Sequence, residues 1–182
     1  MNFGRKIFDV DPWGQKDKIL AESKNFKAIA NSSSINEGHV LIVPKNLRIF
    51  SASELPQQEY KELMLFENRI KSGIAKVYSG EIIIGEHGAG RNPLLHAKAS
   101  NSIFEMHKHI SPLGNKLTAE DIIAESEMKL IKGYKHFARY AESPYICLNE
   151  NITTKQMGRQ YLLRKIAGRC NNPQLNFQFT LW

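Results

Sequence analysis

The sequence predicts an α+β fold in which an antiparallel sheet of about five strands carries helices on one face. Two largely apolar runs, Val40 to Val43 and Glu81 to Ile84, have the length and composition of buried strands. Between them, apolar residues from Tyr60 to Val77 recur at helical spacing behind Pro56, which suits a first helical turn. Strands and helices do not alternate in a regular βαβ order, and no Gly-x-Gly-x-x-Gly or Walker-type loop is present. An antiparallel sheet is therefore favoured over a doubly wound parallel one.

The other elements follow from turn, cap and periodicity signals. Thr118 and Asp121 have capping-box spacing at the start of a helix. The segment from Gly85 to Gly88 is expected to begin a long irregular stretch at the mouth of a site. The remaining predicted elements are, in chain order, a short strand within Lys18 to Ala30, a strand from Ser102 to Ile110 stopped by Ser111 and Pro112, a long helix from Thr118 to just before Pro144, a strand from Tyr145 to Leu148, and a basic helix from Thr153 or Thr154 to about Gly168.

Length and composition point to one soluble domain. A chain of 182 residues with 42% hydrophobic residues can bury one core, and its net charge of +7 favours an anionic partner. No segment has the run of roughly 18 apolar residues that a membrane span needs, and the start of the chain does not resemble a signal peptide. Cys147 and Cys170 are too far apart to suggest a metal site or a disulfide framework. We therefore expect a cytoplasmic protein.

The candidate site is centred on the stretch from Ser102 to Pro112. Glu105, His107 and His109 occupy every second position, so in a strand their side chains leave one face together, about 7 Å apart. Met106 and Lys108 alternate with them, a pattern that favours a functional use of the histidine-bearing side.

Two chemistries fit this pattern equally well. A neutral imidazole at His107 is basic enough to attack phosphorus and can leave again, while His109 and backbone donors would hold the phosphate oxygens. Alternatively, His107, His109 and Glu105, together with His39 or His87, could bind a divalent metal as a two-histidine, one-carboxylate set. Spacing alone leaves both readings open.

A resemblance to a known family separates them. Gly38-His-Val-Leu-Ile-Val-Pro-Lys45, followed by Ser102-x-x-Glu-x-His-x-His-x-x-Pro112, resembles the histidine-triad (HIT) superfamily of nucleotide hydrolases and transferases. The signature of that family is His-φ-His-φ-His-φ-φ, with φ apolar, preceded by a strand reading Gly-His-φ-φ-φ-φ-Pro-Lys. The similarity extends from about Phe8 to Pro112.

The resemblance implies a role for each matching residue. His107 falls on the histidine that attacks the α-phosphate and carries the nucleotidyl group as a covalent phosphoramidate. His109 falls on the histidine that faces the phosphate, and no metal or other cofactor is required. The residues expected to bind the nucleotide are Ser102 near the phosphate, His39 behind the triad, Asn31 at the usual aspartate position that holds the ribose, and His87 in a Glu86-His-Gly88 segment similar to a bacterial-type branch.

Three departures from the family pattern bear on catalysis. Glu105 replaces the first histidine, Lys108 replaces the middle apolar residue, and Ser111 replaces the apolar residue before the proline. Glu105 could repel a polyanionic substrate, orient an imidazole, or act as a protonated leaving-group acid. The alternative to an enzyme is therefore a nucleotide-binding module with impaired catalysis.

The resemblance also suggests how the chain is organised. Residues 1–113 would form the HIT-like nucleotide-binding core, and residues 114–182 a helical C-terminal extension packed on it as one structural unit. The expected partner is a purine nucleotide or nucleotide conjugate, such as a dinucleoside polyphosphate or a nucleoside phosphoramidate. A homodimer is plausible because many family members pair through a continuous sheet, whereas a nucleic-acid partner for the basic third helix is not expected.

Overall fold

A computed structural model of the chain describes residues 18–30, 36–46, 49–88, 106–114 and 118–154. These residues form one eight-stranded antiparallel sheet with helices, which confirms the predicted α+β class. No helix in the described ranges is long and apolar enough to cross a membrane. The strands are β1 (Lys18–Glu22), β2 (Phe26–Ala30), β3 (Val40–Pro44), β4 (Glu81–Gly88), β5 (Lys108–Gly114), β6 (Lys129–Leu130), β7 (Tyr145–Leu148) and β8 (Asn151–Thr153).

The strand order across the sheet is β1-β2-β3-β5-β4-β7-β8-β6. The prediction of about five strands was too low for two reasons. The segment from Lys18 to Ala30 is a hairpin of two strands, because the chain reverses at Ser23 to Asn25, where Glu62 accepts hydrogen bonds from both of those side chains. The C-terminal extension also adds β6 and β8 at the other edge of the sheet.

The long helix α1 (Gln57–Ala75) is confirmed and packs on one face of the sheet. It begins directly after Pro56, and its buried residues Leu63, Phe66 and Ile74 recur at helical spacing. They form the main core with Phe26, Ile42, Ile110 and other residues of the same sheet face. We call this the helix face and the opposite one the histidine face.

The predicted helix from Thr118 to Pro144 was wrong in length. The capping box between Thr118 and Asp121 is present, but α2 (Ala119–Glu125) ends after seven residues. Glu127 then adopts a positive φ of 53°, and Gly133 a φ of 90°, so the helix cannot continue through either position. The intervening β6 pairs with β8, and only the short α3 (Tyr134–Phe137) and a 3₁₀ turn follow.

Three further boundaries differ from the prediction. Gly85 to Gly88 belong to β4, because all four residues pair with β7 and the first two also pair with β5. Thr153 lies in β8 rather than at a helix start, and the rest of the predicted basic helix is outside the described residues. The strand expected to stop at Ser111 and Pro112 continues to Gly114 as part of β5.

The continuation of β5 through proline has a local cause. On the β3 side, pairing reaches only Ile110, so the missing N–H of Pro112 costs no ladder bond there. At this edge the Asn36 side chain replaces β3 as the hydrogen-bonding partner of β5. Its Oδ1 accepts from Ser111 Oγ at 2.8 Å, and its Nδ2 donates to the Pro112 carbonyl. Asn36 therefore fixes the loop before β3 to the end of β5.

Two glycine substitutions are expected to change stability in opposite directions. Gly38 has a φ of 81°, and an added Cβ would lie 2.6 Å from Tyr78 Cε2, so Gly38→Ala should destabilise by about 1–3 kcal/mol. Gly73 lies in α1 with nothing within 4 Å of its would-be Cβ, so Gly73→Ala should stabilise by about 0.5–1 kcal/mol. Urea unfolding of the two variants checks both signs, and a Gly38→Ala protein as stable as wild type would contradict the first.

Candidate active site

The histidine face brings four imidazoles together. Cross-strand pairing places Leu41 and Gly85 on either side of His109, while Glu86 pairs with Lys108 on the helix face. Because neighbours along a strand alternate between faces, His87, two residues after Gly85 in β4, lies on the same face as His109. His107 lies directly before β5, and its ring is in contact with that of His109. His39, directly before β3, completes the group, which we call the histidine cluster.

The cluster has a buried end and an accessible end. His39 and His109 are buried, and His39 Nε2 lies 3.0 Å from His109 Nδ1. The two rings stack, with an angle of 16° between their planes. His107 is half-buried, and its ring meets His109 edge to face at a centroid distance of 4.9 Å. The imidazole that a substrate can reach is therefore backed by two that it reaches less easily.

Burial keeps the inner histidines neutral. Burial, and then the nearby His107, lowers the pKa of His39 from 6.5 to about 4. Burial also holds the pKa of His109 well below its usual range, with further contributions from His107, His39 and His87. At neutral pH the bond between His39 and His109 thus joins two uncharged rings, one of which donates and the other accepts.

The low pKa of His39 predicts a pH-dependent stability. Between about pH 6.5 and pH 4 the unfolded chain binds a proton at this residue that the folded chain does not. The free energy of unfolding should therefore fall on acidification, by about 3 kcal/mol over that range for a group buried this deeply. Urea unfolding as a function of pH checks this: His39→Gln should reduce the dependence while the part due to His109 remains, and His136→Gln, at an exposed histidine, should leave it as in wild type.

Three of the predicted site residues lie outside the described ranges. These are Asn31, Ser102 and Glu105. Of the predicted residues within the ranges, His39, His107 and His109 are in direct ring contact, and His87 is close enough to act electrostatically on His109. No group of three or more His, Cys, Asp or Glu side chains in the described part of the chain is arranged to hold a metal ion.

Two residues that depart from the family pattern have partners that sequence reasoning missed. Ser111 is fully buried and donates to Asn36, a residue whose place in an Asn- and Ser-rich loop just before Gly38 was the available signal. Lys108 points away from the histidines and pairs with Glu67 on α1. The sequence offers no local signal for Glu67, since it occupies a core position of a helix.

Comparison with known proteins identifies the region that contains this site. The model of the HIT domain family matches residues 14–116, which include all four residues of the histidine cluster. No curated protein matches the chain.

Several solved structures are similar in fold. A member of the HIT family from Bacillus subtilis is 20% identical, with a TM-score of 0.45 over 62% of this chain and 85% of the other. A hypothetical histidine triad nucleotide-binding protein from Sulfolobus tokodaii is 20% identical, with a TM-score of 0.42 over 84% of this chain and 82% of the other. SMU.412c from Streptococcus mutans is 19% identical, with a TM-score of 0.44, and the alignment spans 54% of this chain and 58% of that protein.

Proposed function

This chain belongs to the HIT domain family, whose members are typically nucleotide hydrolases or transferases, and we propose that it acts at the α-phosphate of a purine nucleotide derivative. The observation that carries the proposal is the histidine cluster, in which the half-buried His107 stands against the buried, neutral His109. The substrate class is a dinucleoside polyphosphate or a nucleoside phosphoramidate, which suits the net charge of +7.

The reaction has two displacement steps at one phosphorus. A ring nitrogen of His107 attacks the α-phosphate, an N–P bond forms, and the bond from phosphorus to the leaving group breaks. The leaving group departs with the bonding electrons and takes up a proton. Water or another acceptor then attacks the same phosphorus, the N–P bond breaks, and the nucleotide leaves while His107 returns to its starting state.

His109 supports the charge that builds on phosphorus. A neutral imidazole can donate to a phosphate oxygen through Nε2 only if its Nδ1 carries no proton. In this tautomer, His109 Nδ1 accepts from His39 Nε2–H, and their separation of 3.0 Å allows that bond. His39 thus acts as a positioning residue that sets the tautomer of His109.

The remaining roles are those that the resemblance implies for three residues outside the described ranges. Ser102 donates to a phosphate oxygen, and Asn31 holds the ribose through its amide, which can both donate and accept. Glu105 stands at the first triad position. Its protonation state decides whether it repels the substrate or serves as the acid that protonates the leaving group.

Turnover and binding measurements on the same protein test the proposal. Wild-type protein is incubated with adenosine and guanosine phosphoramidates and with dinucleoside polyphosphates, and release of the nucleoside monophosphate is followed. Calorimetry with the nucleoside monophosphates measures binding. We expect binding and release for at least one purine substrate, and the absence of any nucleotide binding would contradict the proposal.

Glu105 favours one alternative, a nucleotide-binding module that has lost catalysis. This alternative predicts nucleotide binding by calorimetry together with no release of product from any substrate. Glu105→His would then restore the first histidine of the family signature. Turnover gained by that variant, from none in wild type, would identify the chain as an impaired member.

A further inference from the structure

A buried ion pair lies directly beneath the histidine cluster, on the other face of the same strand. Lys108 is the residue between His107 and His109, yet its side chain is only 6% exposed and its Nζ lies 2.7 Å from Glu67 Oε1. Glu67, on α1, is 2% exposed. The ion pair therefore joins the first residue of β5 to the helix that covers the helix face.

A second buried carboxylate extends this contact across the sheet. Glu86 pairs in register with Lys108 and is 1% exposed. Its Oε1 accepts from the Ala52 backbone N–H at 2.8 Å and from the Tyr145 hydroxyl at 3.1 Å. Its Oε2 is buried and has no hydrogen-bond partner in the described part of the chain.

The charge balance of this group keeps Lys108 protonated. Burial opposes the charged form, but Glu67 and then Glu86 outweigh it and hold the pKa of Lys108 above its usual value. Burial raises the pKa of Glu86, and Glu67, which is in direct contact with the ammonium, is the principal countercharge. The ammonium is thus held by a short ion-pair contact of 2.7 Å to one helix residue.

Burying an ion pair at a core position costs desolvation free energy. Apolar residues of similar volume are often as stable as a buried ion pair, so stability alone does not explain a lysine here. What an ion pair adds is a fixed distance, because the opposite charges of the ammonium and the carboxylate hold the two groups in close contact. Lys108 is also paired on both sides, with Ile42 of β3 and Glu86 of β4, so the backbone that carries its side chain is part of a ladder of three strands.

We propose that Lys108 is a positioning residue: through its ion pair with Glu67 it fixes the pleat of β5 and thereby the angle at which His107 and His109 leave the opposite face. The catalytic part of this inference rests on the proposed function. The geometric part does not, because the contact between His39 and His109 can be observed without any substrate.

Replacing both charges by apolar residues separates positioning from stability. In Lys108→Met/Glu67→Met no lone charge of the pair remains, so we expect a folded protein. Flexible methionines do not fix the strand, and we expect kcat to fall by about tenfold or more with KM within about twofold of wild type. Steady-state kinetics of the fully folded variant measures the two constants separately.

Ring nitrogen NMR of the histidines provides the readout that does not need activity. Wild-type protein should show one tautomer for the His39 and His109 pair, and the double variant should show mixed tautomers. Lys45→Met/Glu22→Met removes an exposed ion pair of 2.8 Å elsewhere in the sheet and is the matched control. It should leave both kcat and the histidine spectrum unchanged.

The possible outcomes decide the proposal. A double variant with wild-type kcat and a single tautomer pattern would overturn the proposal, because Lys108 would then only pack in the core without positioning the histidines. If the double variant does not fold, Glu67→Asp carries the same two measurements, since it keeps both charges and withdraws the carboxylate by one methylene. If wild type proves inactive, the proposed function fails, and the NMR comparison alone then decides whether Lys108 positions the histidines.

Discussion

Replacing His107 by alanine is expected to abolish turnover while leaving nucleotide binding almost intact. The proposed mechanism has no other group placed to form the bond to phosphorus, so kcat should fall on the order of 10⁴-fold or more. His107 makes its contribution mainly in the transition state, so the Kd for the nucleoside monophosphate should stay within about threefold of wild type. Steady-state turnover and calorimetry on the same preparation measure the two quantities.

The matched control for this variant is His136→Ala, which removes an exposed histidine of α3. It should leave both kcat and Kd at wild-type values. If His107→Ala turned over every substrate as well as His136→Ala, His107 would not be the nucleophile. A loss of binding in His107→Ala, without an effect on the rate at saturation, would likewise point to a holding role.

The largest expected effect on stability comes from breaking the ion pair on one side. Lys108→Ala leaves the carboxylate of Glu67, a residue that is only 2% exposed, buried without its countercharge. Removing one partner of a buried pair costs about 3–5 kcal/mol, because the remaining charge must be neutralised or hydrated at the expense of packing. Urea unfolding at neutral pH measures this loss as a lower transition midpoint.

Lys45→Ala is the comparison that isolates burial. Lys45 Nζ lies 2.8 Å from Glu22 Oε2, a distance similar to the 2.7 Å between Lys108 and Glu67. The side chains of Lys45 and Glu22, however, are 32% and 46% exposed. Water can solvate Glu22 after the substitution, so we expect a much smaller loss than in Lys108→Ala. Equal losses in the two variants would mean that the Lys108 pair is not electrostatically buried in solution.

The sequence was most informative where a pattern is local and repeated. Apolar runs located β3 and β7, helical spacing located α1, and the every-second-residue rule placed His107 and His109 on one face. The capping box at Thr118 was also confirmed, because it needs only residues three apart. Each of these signals depends on near neighbours in the chain.

What could not be predicted depends on partners distant in sequence. Lys108 departs from the family pattern because it pairs with Glu67 of α1. Ser111 departs from it because it donates to Asn36 in the loop before β3. The helix expected after Thr118 had adequate periodicity, but pairing of β6 with β8 and the turn at Gly133 competed with it. Tertiary contacts of this kind override local propensity and leave little local signal in a single sequence.

The most direct test of the central claim is to trap the covalent intermediate on His107. Wild-type protein is mixed with a nucleoside phosphoramidate, quenched in denaturant at alkaline pH, where phosphoramidates survive, and analysed by intact-mass and peptide spectrometry. We predict a mass increase of one nucleotidyl group that maps to His107 and is missing from His107→Ala. Product release by wild type with no adduct on His107, or with the adduct on another residue, would contradict the account.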